Sequence, residues 1–249
     1  MSSQKTFVGL QNFKELFENR VFKKALSNNF KWLAVYLTIP MIVATFVSFI
    51  IYRKKKGTTF FLSAYMIPYI IAPVANAIIW LNMVFSPLSG IIGFINRTFN
   101  LNLTSPLANT TSAIFGVAGV SIWRYWGFLA IVLVAALRQI PHEQIEEAKV
   151  EGATGFQVFR FVALPNIMPT AKLLISLLII QSFIIYDYVY LLTKGGPANS
   201  TEVLGTVAYS YAFTRFRFGM ASAVSLIMTL LGLVASVLYV RSSRKEGNN

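Results

Sequence analysis

Ala113–Leu137 reads AIFGVAGVSIWRYWGFLAIVLVAAL, and Arg124 is its one charged residue. A helix needs about 20 apolar residues to cross the hydrocarbon core of a bilayer, so this stretch suffices. Working outward, four more segments share its character: Trp32–Tyr52 and Thr59–Phe85 before it, Thr170–Leu192 and Phe218–Val240 after it. Each has to be helical, because lipid offers no partner to an unpaired backbone group. Pro68 and Pro73 lie inside the second segment, where a proline removes a helical hydrogen bond and kinks the chain. The sequence therefore predicts an all-α integral membrane protein of about five transmembrane helices.

Composition agrees. Of 249 residues, 55% are hydrophobic and 12% charged, against about 25% charged in soluble domains. The net charge of +13 could point to nucleic acid. However, Lys and Arg gather at the ends of apolar runs, where membrane topology uses them, and no basic face is interleaved with aromatics. Lipid, and no nucleic acid, is the expected surrounding. The chain has no cysteine, which excludes disulfides and thiolate metal sites, and no His-rich spacing indicates another metal site. It has neither a G-x-x-x-x-G-K-[ST] phosphate loop nor a Ser-His-Asp constellation. We expect no catalytic residues, no enzyme activity and no cofactor bound by this chain.

The basic turn Arg53-Lys54-Lys55-Lys56 should be cytoplasmic. Alternation then puts 139–169 and the tail 241–249 on the same side, and 86–111 and 193–217 outside. Residues 1–30 become an extracytoplasmic segment ahead of a transmembrane domain at 31–249. That segment carries Lys5, Lys14, Arg20, Lys23 and Lys24, and basic segments resist translocation; either a span upstream or a partner has to fix the topology. No apolar core follows Met1, so no signal peptide is expected. Asn12 followed by Glu15 predicts a capped helix start. Phe13, Leu16, Phe17, Phe22 and Leu26 fall near one face, suited to the membrane surface or to the protein's own outer surface.

Between the third and fourth spans runs IPHEQIEEAKVEGATGFQVFRFVALP, Ile140 to Pro165. Pro141 suits a first helical turn, Glu143 suits its positive end, and Gly152 suits its stop. A second short helix is predicted from Phe156 to about Val162, ended by Pro165. Ile145 and Ala148, three apart, give the first helix a small apolar face. This cytoplasmic pair reads either as a docking element for a partner groove or as a connector.

The same segment resembles the signature loop of permease subunits of bacterial binding-protein-dependent ATP-binding-cassette importers. That pattern is Glu-Ala-Ala, three residues, Gly, nine residues, Ile, one residue, Leu-Pro. Glu146, Glu147, Ala148, Gly152, Val162, Leu164 and Pro165 stand at that spacing, with Glu147 and Val162 as departures and Glu151 where the family often has Asp. Trp126-Gly127-Phe128 and Ala136–Pro141 resemble the family's lead-in to the loop. Tyr186-Asp187, Leu192–Asn199 and Phe7–Phe13 resemble its sugar-importing, maltose- and glycerol-phosphate-type branch. In that branch a first transmembrane helix precedes the last of these stretches, so the likeness begins one span late.

The resemblance implies a type I importer permease of the bacterial inner (cytoplasmic) membrane. The loop residues, Ala153 included, would couple it to the ATPase. Its partners would be a second, related permease chain, two ATPase subunits holding ATP and Mg, and an extracytoplasmic sugar-binding protein. The working alternative is an ion-coupled secondary transporter, which calls for repeated halves and several intramembrane ionisable groups; the sequence shows no repeat and two such groups.

Those two are Arg124 and Asp187. A charge in a span needs a partner or a wet cavity, so they read as an ion pair across helices or as substrate-lining groups. Asn76, Trp80, Gln181, Tyr186, Asp187 and Tyr190 are the candidates for a substrate pathway, since a sugar presents both hydroxyls and CH faces. Asn and Gln inside spans also serve as interhelical glue.

Overall fold

The computed structural model describes residues 7–53 and 57–246, so the basic turn Lys54-Lys55-Lys56 and the segment around Lys5 lie outside the described residues. Among the described residues every regular element is a helix, without strands. Helix α1 (Gln11–Glu18) has Leu10 at its N-cap and no side-chain cap. Asn12, expected to cap it, sits inside the first turn because Gly9, at φ 54°, starts the helix earlier. Of the two placements open to this segment, α1 takes the one on the protein itself: fully buried Leu16 joins Phe22, Leu204, Val207, Met220 and Val224 in a small apolar core.

Helix α2 (Arg20–Arg53) begins well before the Trp32 expected from hydropathy. Asn19 is the reason: its Oδ1 accepts from the Val21 and Phe22 amides at 2.8 and 3.2 Å and caps the helix there. At about 1.5 Å per residue, α2 is far longer than a bilayer core is thick, and its first turns belong to the small core beside α1.

The second apolar segment does not kink gently. Helix α3 (Thr58–Ile70) and helix α4 (Pro73–Ile79, continued by a π turn to Val84) meet at 94°. Pro68 is carried inside α3, while Pro73 makes the break. Its ring forces Ala72 into extended backbone, φ −56° and ψ 140°, and it then serves as the first residue of the new helix. Helix α5 (Ile91–Phe99) follows in the loop before the third span.

Helix α6 (Ala113–Leu137) is the centre of the bundle, with 44% of its apolar window buried against 17% for the last helix. A span that faces packed neighbours on one side and lipid on the other has no use for a polar face, which is why its sequence is apolar in every direction. It packs along α2, α3 and α9, and Trp32, Val117, Leu129, Leu133 and Leu178 meet in the main core. At Gly127 a Cβ would collide with the carbonyl of Tyr65; this glycine lets α3 lie against α6, as small residues do between membrane helices.

After α6 come α7 (His142–Val150), the single turn α8 (Gly155–Gln157), a π turn Val158–Ala163 and α9 (Leu164–Ile184). Pro165 does not end the second short helix. The helix runs from Gly155 to Ile184 without interruption. Pro165 clashes with a carbonyl four residues back in regular α-helix, and the wider π turn just before it relieves that clash.

The helix of the fourth apolar segment stops at Ile184, α10 (Asp187–Thr193) follows after a break at Ile185–Tyr186, and α11 (Leu204–Tyr209) leads through a π turn to α12 (Phe218–Glu246). Among the described residues four helices are thus long and apolar enough to cross a membrane, or five with the bent α3–α4 pair as one span.

Candidate coupling and translocation sites

Helix α7 packs against the π turn Val158–Ala163 that leads into α9. Its C-terminus closes by two bonds: the Ala153 amide donates to the Ala148 carbonyl at 3.0 Å and the Gly152 amide to Lys149 at 3.0 Å. This is a Schellman turn, which needs a left-handed residue at the position of Gly152. Gly152 has φ 84°, as expected of a helix-stopping glycine, and the space where a Cβ would sit is open. The next turn is fixed by a capping box: Thr154 and Gln157 exchange bonds of 2.7 and 3.4 Å.

The apolar face of α7 differs from the expectation. Ile145 points inward, 7% exposed, and Ala148 is half-buried; together they seat the helix rather than offer it. Outward-facing apolar groups are Val150, 88% exposed, and Phe156, 67% exposed. Glu146 and Glu147 are exposed beside them, with Glu146 3.6 Å from His142. Ala153, Val162 and Leu164 are half-buried and Pro165 exposed, Pro165 inside a continuous helix. Asn166 reaches back to Gln144 at 3.0 Å and ties α9 to α7. Behind α7 lies a cleft of about 810 Å³ walled by Tyr52, Arg138, Ile145, Lys149 and Phe159.

Within the spans, Arg124 and Asp187 do not pair; among the described residues no carboxylate lies within salt-bridge distance of Arg124. The break in α3–α4 takes that place. Nε of Arg124 donates to the carbonyl of Ile71 at 3.3 Å, and the guanidinium lies 4.9 Å from the Tyr69 ring centroid. A helix end freed by proline inside a membrane needs such a donor, and the cation–π contact adds to it. Asp187 is exposed and begins α10, where a carboxylate favours the positive end.

The remaining candidates separate. Asn76 is fully buried, and its Nδ2 donates to the Tyr188 hydroxyl at 2.9 Å; it joins α4 to α10 as glue. Trp80 packs between Phe85 and Trp123. Gln181 is exposed on α9. Tyr186 and Tyr190 come together as stacked rings.

Sequence reasoning missed Asn28 and Asn29, both fully buried on α2. Asn29 donates to the Ser182 carbonyl and accepts from the Leu204 amide, both at 2.8 Å. Asn28 donates to the carbonyls of Ser200 and Glu202 at 2.8 and 2.9 Å. Two adjacent amides at the mouth of an apolar run were the available signal. They bind the end of α9, the loop after α10 and the start of α11 to α2.

This architecture has known counterparts. A permease of a bacterial transporter that imports the acidic polysaccharide alginate superposes with a TM-score of 0.90 at 23% identity, covering 97% of this chain and 85% of that one. Probable ABC transporter permease protein YurN of Bacillus subtilis (strain 168) is 28% identical, over 96% of this chain and 83% of its own. Multiple sugar-binding transport system permease protein MsmF of Streptococcus mutans serotype c is 30% identical, over 96% and 82%. Residues 37–247, which take in the α7 loop and all of the spans except the first part of α2, match the family described as binding-protein-dependent transport system inner membrane component. The match covers most of the sequence, and the chain belongs to the family of binding-protein-dependent transport system inner membrane components.

Proposed function

We propose that this chain forms half of the translocation channel of an ATP-driven carbohydrate importer in the bacterial cytoplasmic membrane. The observation that carries the reading is α7 and the turn after it: a short helix seated by one buried side chain, closed by Gly152, and presenting Glu146, Glu147 and Val150 outward, with Phe156 of α8 exposed just beyond. Exposed apolar groups flanked by charge fit a groove on a partner. Hydrolysis belongs to that partner, which holds ATP and Mg, since this sequence has no phosphate loop. The carbohydrate assignment rests on the naming of relatives such as MsmF and on the sugar-branch stretches of the sequence. A second, related permease completes the channel, two ATPase subunits drive it, and an external sugar-binding protein delivers substrate to the 86–111 and 193–217 loops.

Movement then passes as rigid-body displacement. ATP binding closes the ATPase pair, α7 shifts with it, and α9, continuous from Gly155, carries the shift along the bundle to the opposite mouth. Uptake of labelled sugar by cells depleted of ATP, with the ion gradient maintained, tests the assignment. Uptake should cease. Uptake that survives ATP depletion but stops with an ionophore would make the protein an ion-coupled carrier.

A further inference from the structure

We infer that Tyr186, Tyr190, Tyr209 and Phe213 form a stacking platform for a pyranose ring at the mouth of the bundle opposite α7; this rests on the carbohydrate reading above. The Tyr186 and Tyr190 rings are 5.1 Å apart with planes at 21°. Tyr209 lies 5.1 Å from Tyr186 and 5.0 Å from Tyr190, and Phe213 lies 5.0 Å beyond Tyr209.

Three backbone features assemble the group. The chain turns out of α9 at Ile185–Tyr186. Gly205 lets α11 approach that turn, since a Cβ there would stand 2.5 Å from the Ile185 carbonyl. The π turn Ser210–Thr214 then carries Phe213 beside Tyr209, and such turns concentrate at functional sites. None of the four rings joins either apolar core, and Phe213 is 64% exposed. Packing alone would bury rings that cluster so closely. A sugar needs aromatic faces for its CH surfaces and polar groups for its hydroxyls; the three phenol hydroxyls and the exposed Asp187 carboxylate supply the latter.

The test uses the intact importer, with its partner permease, ATPases and binding protein, in proteoliposomes. The probes are maltotriose, raffinose and, as a non-sugar, methionine. Tyr190→Leu and Tyr209→Leu should raise KM for the imported sugar about tenfold with a smaller change in kcat, and Tyr209→Phe should restore it. If Tyr209→Leu fails to assemble, Phe213→Ser, at an exposed ring, carries the same comparison. Unchanged KM in the leucine variants overturns the platform and leaves the importer reading standing. Import of methionine and of neither sugar overturns the carbohydrate reading, and the platform with it.

Discussion

At the scale of single residues, a few side chains hold positions that hydropathy cannot rank. Asn29 has its amide spent on both sides, by Ser182 and Leu204. Asn29→Leu leaves a buried carbonyl and a buried amide unpaired, and each costs about 1–3 kcal/mol. A clear fall in the thermal midpoint in detergent is expected, whereas Gln181→Leu, at an exposed position, should leave it unchanged. Gly152 is different: its left-handed backbone matters and its surroundings do not, because the space around it is open. Gly152→Asn should be tolerated, since Asn enters that conformation readily. Gly152→Val should cost about 1 kcal/mol or more of local strain while the protein stays in the membrane at its normal level, as a quantitative membrane blot would show. Gly152 was legible in the sequence because a helix stop has a chemical signature. Asn28 and Asn29 were not, because an amide before an apolar run looks the same whether it faces water or three backbone segments.

At the scale of elements, proline decided two outcomes that sequence spacing had reversed. Pro73 breaks its span completely, and Pro165 does not end its helix because the turn before it widens. The break at Ile71 also relocates Arg124, whose partner is a freed carbonyl rather than Asp187. A sequence shows where charges fall along spans but not which carbonyls a distant proline will release. Arg124→Leu should therefore destabilise the protein by about 1–3 kcal/mol, and Asp187→Asn should not, by the same thermal measurement. Helix α1 is clamped to the start of α12 by Glu15, whose carboxylate accepts from Arg217 Nη2 at 2.7 Å. That hydrogen bond holds the Glu15 pKa below the usual carboxylate range. The lowered folded value means that the clamp is fully present above the ordinary carboxylate pKa of about 4.3 and is lost as pH falls through the folded value. Because the chain has no native cysteine, Leu16→Cys reports directly: its labelling by a maleimide should stay low near neutral pH. Glu15→Gln should raise labelling at neutral pH, and labelling equal in both proteins would show that the clamp does not hold α1. Glu202 runs the other way, its pKa raised by burial against the bond it accepts from Thr206.

At the scale of the whole molecule, the spans were legible because apolar length is a property of the sequence itself. The mouth opposite α7 was not, since α9, α10 and α11 are held there by Asn28 and Asn29 of α2, from the far end of the chain, and by the close approach that Gly205 allows. The loop at the other end was read correctly in its turn and incorrectly in its exposed face: Ile145 is the anchor, and Val150 and Phe156 face out. The central claim is that this outward face couples a partner's ATP hydrolysis to transport. The most direct measurement purifies the complex from cells carrying wild-type or Gly152→Val permease, then follows hydrolysis and sugar uptake in proteoliposomes loaded with ATP. The variant should remain in the membrane, retain less ATPase on purification, and lose most uptake per ATP hydrolysed. Full ATPase retention and full uptake by Gly152→Val would overturn the coupling role of this face.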